Sequence, residues 1–282
     1  MIIDGNRIAK DIIGVVSARA KALPRAPRLG VLVVGEHPVI ASYVRKKERR
    51  AKDAGVDMVI EKLPDSATEE YVLLALATLT KATDALIVQL PLPPDLRTQY
   101  ILSHIKRAQD ADVLGDDAYD FFDSGKSNVL PPVVGACAEI CMRHNISIEG
   151  KKAVVIGSGR LVGRPIFSWL TQEGAFPRMV TKDTNEDERK KLLHDADIIV
   201  SGVGKCRSLK KDDVREGVVV LDAGTSEESG TIGGDADPEI ASISSLFTPV
   251  PGGIGPITVA YLFHNTVLLC EEELQRRGKP LY

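Results

Sequence analysis

Short, unbroken runs of Val, Ile and Leu, each followed by a segment of helical periodicity, leave this chain few folds to choose from. Runs of that kind suit strands covered on both faces, which is the condition inside a parallel sheet whose crossover helices pack above and below it. The first run is Arg28-Leu29-Gly30-Val31-Leu32-Val33-Val34. A helix over 41–54, a strand over 56–63, a helix over 68–81 and a strand Ala85-Leu86-Ile87-Val88-Gln89-Leu90 follow it. A leading helix is marked by Ile8, Ile12, Ile13 and Val16. A second series starts at Lys151, with strands over 152–156, 178–181, 197–200, 218–221 and 245–247, and helices over 161–173 and 185–194. The pattern predicts an α/β protein of two domains, each with its own core. A helix over 134–144 leads from one to the other, and the terminal helix returns to the first, leaving a cleft between them. The expected division is residues 1–140 joined by the returning helix 257–282, and residues 141–256.

At 282 residues and 44% hydrophobic, the chain can fill two such cores. A net charge of −3 argues against nucleic acid as the main partner. No apolar run is long enough to span a membrane, and Met1 to Arg7 lacks the basic head and apolar segment of a secretion signal. Cys137, Cys141, Cys206 and Cys270 form no Cys-x-x-Cys pair and do not cluster with histidines. Cys137 and Cys141, four apart on one helix face, read as small core residues, and the spacing of the four points to a reducing, cytoplasmic protein with no bound metal.

Two loops point to ligands. Strand Val154-Val155-Ile156 runs into Gly157-Ser158-Gly159-Arg160-Leu161-Val162-Gly163 and then a helix. Gly157 permits a tight turn, Gly159 lets a ligand approach the backbone, and Gly163 allows helix and strand to come close, as in dinucleotide sites. A ligand-free βα turn is the other reading. Beyond the next strand, Lys182 and Asp183 stand where an adenosine ribose would lie. Lys182 and Arg160 favour the 2′-phosphate of NADP, Asp183 favours NAD, and a solvated surface pair is the third option. Ser201-Gly202-Val203-Gly204 and Asp222-Ala223-Gly224-Thr225 end two further strands, where open sheets bind ligands.

The second loop is Pro249-Val250-Pro251-Gly252-Gly253-Ile254-Gly255-Pro256-Ile257-Thr258. Its prolines fix some φ angles and its glycines free others, so it specifies one shape. Pro256 is placed at the first position of the final helix, whose free amides could hold a carbonyl or a phosphate. In the first half, Tyr43 and Lys47 share one helix face. Arg45, Lys46, Arg49, Arg50 and Lys52 crowd around them, which favours a neutral amine at Lys47 or else marks a solvated helix face. Gln89 is a polar amide at the carboxyl end of an apolar strand, a place that faces ligand. Asp110 and Asp112 follow in a polar loop, suited to the N–H edge of a flat heterocycle or to capping a helix.

With these residues the chain resembles the bifunctional methylenetetrahydrofolate dehydrogenase/methenyltetrahydrofolate cyclohydrolase family, nearly end to end. The resemblance runs through Tyr43-x-x-x-Lys47, Val88-Gln89-Leu90-Pro91-Leu92-Pro93, Asp110-x-Asp112, Gly157 to Gly163 with Pro165, Gly234-Asp235-x-Asp237 and residues 248–258. It implies an N-terminal α/β folate-binding domain and a Rossmann-like dinucleotide-binding domain. It also implies oxidation of 5,10-methylenetetrahydrofolate by NADP, then hydrolysis to 10-formyltetrahydrofolate, in a homodimer. Carried over, Lys47 handles protons, Gln89 tunes it, Tyr43 stacks on the folate and Asp112 anchors the pterin. Pro251, Gly252, Gly253, Gly255 and Pro256 close over folate and nicotinamide, while Gly157, Ser158, Gly159, Arg160, Lys182 and Thr225 hold the cofactor. Some positions depart from the usual pattern. Ile40 replaces a serine, Gln109 a lysine, and Val113-Leu114-Gly115 a Gly-Phe-His; Ser158 replaces an arginine and Gly159 a serine. A shikimate- or amino-acid-type dehydrogenase and a non-catalytic folate or nucleotide sensor are the rival readings, and the Pro-Gly-Gly-Ile-Gly-Pro loop speaks against the first.

Overall fold

The computed structural model describes residues 1–36, 38–228 and 231–278; the side chains of Pro38, Val39, Ser42, Tyr43, Glu227, Glu228 and Thr231 lie outside that description. The chain divides into two compact units, Met1–Ala9 with Val133–Thr258, and Lys10–Pro132 with Val259–Tyr282. The division after Pro132 comes ahead of the expected residue 140, and the first nine residues go with the later unit.

In chain order the elements are α1 (Gly5–Ala22), β1 (Arg28–Val34), α2 (Pro38–Ala54), β2 (Asp57–Leu63), α3 (Glu69–Ala82) and β3 (Ala85–Val88). Two short helices, α4 (Thr98–Leu102) and α5 (Asp116–Asp123), come next. In the unit built on Lys10–Pro132, the three strands form a parallel sheet of order β2-β1-β3. β1 is central and buried from Leu29 onwards, as its composition demands. β2, expected to be a buried strand, is an edge strand with a half-exposed pattern, because only β1 flanks it. Thr68 starts α3 by accepting the Tyr71 N–H, and Val72, Ala75, Leu76 and Leu79 carry the helix onto Leu32, Leu86 and Val88.

The other unit begins its run with α6 (Pro132–Arg143), β4 (Lys152–Ile156), α7 (Gly163–Gln172), β5 (Phe176–Val180) and α8 (Glu186–Asp195). Strands β6 (Ile198–Ser201) and β7 (Val219–Asp222), the antiparallel pair β8 (Ser226–Glu228) and β9 (Thr231–Gly233) and β10 (Leu246–Phe247) follow, and the long α9 (Ile254–Arg276) passes at Val259 into the unit of Lys10–Pro132. Its parallel sheet has the order β10-β7-β6-β4-β5 around a core of Val154, Ile156, Ile199, Val218 and Val220. β5 is an edge strand, and Phe176 on it is 67% exposed. At the opposite edge, Ile3 N–H donates to Phe247 O and Phe247 N–H to Met1 O, so the first residues add a further ribbon beside β10.

The final helix starts at Ile254, two residues before the position expected from Pro256. Pro256 is still harmless there, since the first four N–H groups of a helix have no partner within it. Cys137, Cys141 and Cys270 are buried as small core residues, and no metal-binding cluster occurs among the described residues.

Candidate active site

Each sheet has a point where its strand order turns back, and ligands in open α/β sheets bind beyond the carboxyl ends of the strands there. In the β2-β1-β3 sheet that point is β1, with β2 on one side and β3 on the other. Gln89 comes directly after β3, its N–H bonded to Leu32 O of β1. A pocket of about 390 Å³ lies at the same ends, lined by Val34, Gly35, Ile40, Asp65, Pro91, Leu92 and Pro93. The Leu90–Pro91 peptide is cis.

Lys47, three turns along α2, donates from Nζ to Gln89 Oε1 at 2.9 Å. Gln89 Nε2 donates to Leu90 O at 2.9 Å, which orients the amide so that its oxygen meets the amine. Burial pulls the Lys47 ammonium below the usual lysine range, and the Asp112 carboxylate opposes that shift. Burial raises the Asp112 carboxyl above the usual range, with Lys47 opposing it in turn. The structure therefore joins Lys47 to Gln89 by a hydrogen bond, with Asp112 near enough for its charge to act on the amine. Of the two roles open for Asp110 and Asp112, Asp110 takes the capping one. Asp112 acts on the amine, while Asp110 turns inward and accepts the Leu114 and Gly115 N–H groups at the start of α5. Burial pushes the Asp110 carboxyl up to about 7, and the Asp112 charge adds to the rise. Between them the chain passes through Val113 at φ 56°, the left-handed region that β-branched residues avoid. The Tyr43 side chain lies outside the described residues.

In the five-stranded sheet the order turns back at β4, which has β5 on one side and β6 on the other. The 157–163 loop leaves β4 at this point. Gly157 has φ +97°, and a Cβ on Gly163 would lie 1.9 Å from Gly157 O, so both glycines are needed for the chain to turn so tightly. A Cβ on Gly159 would meet nothing within 4 Å, leaving open space over the backbone. Exposed Ser158 and part-exposed Arg160 flank it, and Lys182 and Thr225 are exposed at the ends of other strands. A tight turn with open space beside it, ahead of a helix, fits the pyrophosphate of a dinucleotide.

Two carboxylates set the neighbouring loops. Asp235 accepts Ser201 Oγ and the Val203 and Lys205 N–H groups, each at 2.7 Å. Asp222 Oδ1 accepts Gly224 N–H and Oδ2 accepts Ala236 N–H. Burial pushes the Asp222 carboxyl up to about 7, the Ala236 bond opposes it and the Asp235 charge assists. In the 249–258 loop the Val250–Pro251 peptide is cis, Gly252 has φ +100°, and Gly252 O accepts Gly5 N–H at 2.8 Å. A Cβ on Gly253 would meet Pro249 O at 2.5 Å, whereas one on Gly255 would meet nothing within 4 Å.

Asn265, which the sequence pattern did not single out, donates to Ala111 O at 2.9 Å and Leu130 O at 2.7 Å. Its signal was an amide set among the apolar positions Leu262, Phe263, Val267 and Cys270 of α9.

Comparison with known proteins agrees with this geometry. A family model described as tetrahydrofolate dehydrogenase/cyclohydrolase, catalytic domain, matches residues 3–112, and the NAD(P)-binding domain of the same family matches residues 131–274. The chain is 36% identical over 284 residues to the bifunctional protein FolD of Staphylococcus aureus, covering 98% of each chain. It is 34% identical over 281 residues to that of Thermus thermophilus, covering 98% of this chain and 97% of the relative. The crystal structure of the Campylobacter jejuni FolD enzyme superposes with a TM-score of 0.92 at 30% identity, covering 97% of this chain and 99% of the other. The Trypanosoma brucei FolD, complexed with NADP cofactor and an inhibitor, gives 0.92 at 28% identity over 98% of each chain. This chain belongs to the tetrahydrofolate dehydrogenase/cyclohydrolase family.

Proposed function

We propose that the chain oxidises 5,10-methylenetetrahydrofolate with NADP and hydrolyses the methenyl product to 10-formyltetrahydrofolate. One observation carries the reading: a buried amine, Lys47, bonded to Gln89 and acted on by the Asp112 carboxylate, at the carboxyl ends of a sheet in a chain of this family. A lysine whose charge is disfavoured by burial exchanges protons nearer neutral pH than a surface lysine does. Lys47 takes a proton from the water that attacks the methenyl carbon and returns it to the ring nitrogen as its bond to that carbon breaks, while the remaining hydroxyl proton leaves to solvent as the formyl carbonyl forms. Gln89 fixes the amine by hydrogen bonding, and Asp112 holds the N–H edge of the pterin while steadying the Lys47 charge.

The unit of Lys10–Pro132 and Val259–Tyr282 is the folate-binding part, and that of Val133–Thr258 binds the dinucleotide. Gly157, Ser158, Gly159 and Arg160 hold the pyrophosphate, Lys182 meets the 2′-phosphate, and Thr225 contacts the nicotinamide half. The bound nicotinamide supplies the acceptor for the hydride leaving the one-carbon bridge. The NADP bound to the Trypanosoma brucei relative supports this cofactor. The protein works in the cytoplasm as a homodimer; exposed Phe176 on edge strand β5 supports pairing through the dinucleotide unit. No helix of the described residues is long and apolar enough to cross a membrane.

The test is a spectrophotometric assay of methylenetetrahydrofolate with NADP and NAD side by side. The proposal expects reduction of NADP in preference to NAD, with methenyl absorbance rising and then decaying. No oxidation of the folate with either nucleotide overturns it.

A further inference from the structure

We propose that Asn265 on α9 is a positioning residue for Asp112, holding the Ala111–Asp112 peptide and with it the direction in which the Asp112 side chain leaves the backbone. The inference rests on the reading that Lys47 carries the hydrolysis. Asn265 is 1% exposed and Ala111 is fully buried. Both amide hydrogens of Asn265 are used, one on Ala111 O at 2.9 Å and one on Leu130 O at 2.7 Å. Its own Oδ1 is buried with no hydrogen-bond partner. An unpaired buried acceptor is destabilising, so the value of this asparagine lies in its two donors and not in its oxygen. Leucine would fill a similar volume without an orphan atom, but it would leave both carbonyls unpaired.

The grip matters because of which carbonyl it takes. Ala111 O and the Asp112 N–H belong to one rigid peptide plane, so fixing the oxygen fixes the direction in which residue 112 leaves. The flanking segments are held separately. Gln109 Nε2 donates to Thr80 O and Thr83 O, Ala111 N–H to Leu86 O, and Asp110 Oδ2 accepts Leu114 and Gly115 N–H. Between these ties Val113 is held at φ 56°, a conformation it leaves once released. Without Asn265 the 111–112 peptide is free to turn, Val113 relaxes, and the Asp112 carboxylate shifts away from the amine on which its charge acts. Asp112 is the charge that acts on Lys47, Lys47 acts on Asp112, and Asp110 in turn feels Asp112. Withdrawing the carboxylate makes the ammonium harder to keep, so Lys47 then loses its proton at lower pH.

The experiment uses the full chain and two variants, Asn265→Leu, with no donor, and Asn265→Ser, with one. The pH dependence of Lys47 labelling by an amine-reactive reagent is read by mass spectrometry of its peptide. In parallel, kcat and KM are measured for methenyltetrahydrofolate hydrolysis, and Kd for NADPH by fluorescence. We expect the Lys47 inflection to move to lower pH in Asn265→Leu, with kcat down about tenfold or more and KM and NADPH Kd little changed. Asn265→Ser should fall between this variant and the parent. A Lys47 inflection at its original pH in a folded variant overturns the proposal, as does a raised KM with unchanged kcat. Should Asn265→Leu not fold, Asn265→Ser decides. A parent chain that ignores folates sinks the functional reading, while the labelling profile still settles the role of Asn265.

Discussion

Replacing Asp222 with Asn should flatten the pH dependence of stability in the dinucleotide unit. The Asp222 carboxyl sits at about 7 in the folded chain against an ordinary value of 3.8, chiefly through burial. Between those values the folded state holds a proton that the unfolded state lacks, so stability falls as pH rises, by about 1.4 kcal/mol per pH unit. The contribution is complete below about 3.8, declines across the window and is gone above about 7. Over some three units it amounts to ~4 kcal/mol. Asparagine cannot titrate, but it also has only one oxygen, whereas Asp222 uses Oδ1 for Gly224 and Oδ2 for Ala236. One N–H therefore faces an amide NH₂ at every pH, a constant cost of about 1–3 kcal/mol. The variant should lie below the parent at about pH 5, and the two curves should draw closer by ~3 kcal/mol on reaching about pH 7. Urea unfolding followed by Trp169 fluorescence measures this, because the single tryptophan is buried on α7 in the same unit. Parallel curves for the two proteins would refute the argument.

Two further outcomes follow from the site. Lys47→Met should slow hydrolysis of methenyltetrahydrofolate by roughly 10²–10⁴-fold, the usual worth of a positioned proton carrier; unchanged decay of the methenyl absorbance removes Lys47 from the chemistry. Gly163→Ala places a Cβ 1.9 Å from Gly157 O, so the loop after β4 must shift. NADPH affinity by fluorescence titration should then drop by about tenfold or more, and an unaltered Kd would show that this turn does not hold the dinucleotide.

The strands were legible because a parallel sheet asks for little more than aliphatic, β-branched runs, and β1, β3, β4 and β6 consist mostly of such residues. That β2 and β5 lie at edges was not legible, since strand order depends on which helices cross where and leaves only weak marks on composition. Lys47 and Gln89 could be picked out: an amine crowded by other cations and an amide ending an apolar strand each break a local pattern. The hydrogen bond between them was expected only through the family resemblance, since 42 residues separate the pair in the chain. Asp235 stood out only as part of the Gly234-Asp235-x-Asp237 motif and Asn265 not at all, because the groups they hold come from distant segments. Pro256 misled by two residues because proline is equally tolerated anywhere in the first turn.

Ile3 and Phe247 pair as neighbours although almost the whole chain lies between them. During synthesis the opening residues leave the ribosome long before β10 exists to receive them. At roughly 5–20 residues per second, that interval is on the order of tens of seconds. The ribbon made first thus docks only once β10 has been made, and the completed edge of the dinucleotide sheet signals that translation has passed residue 247.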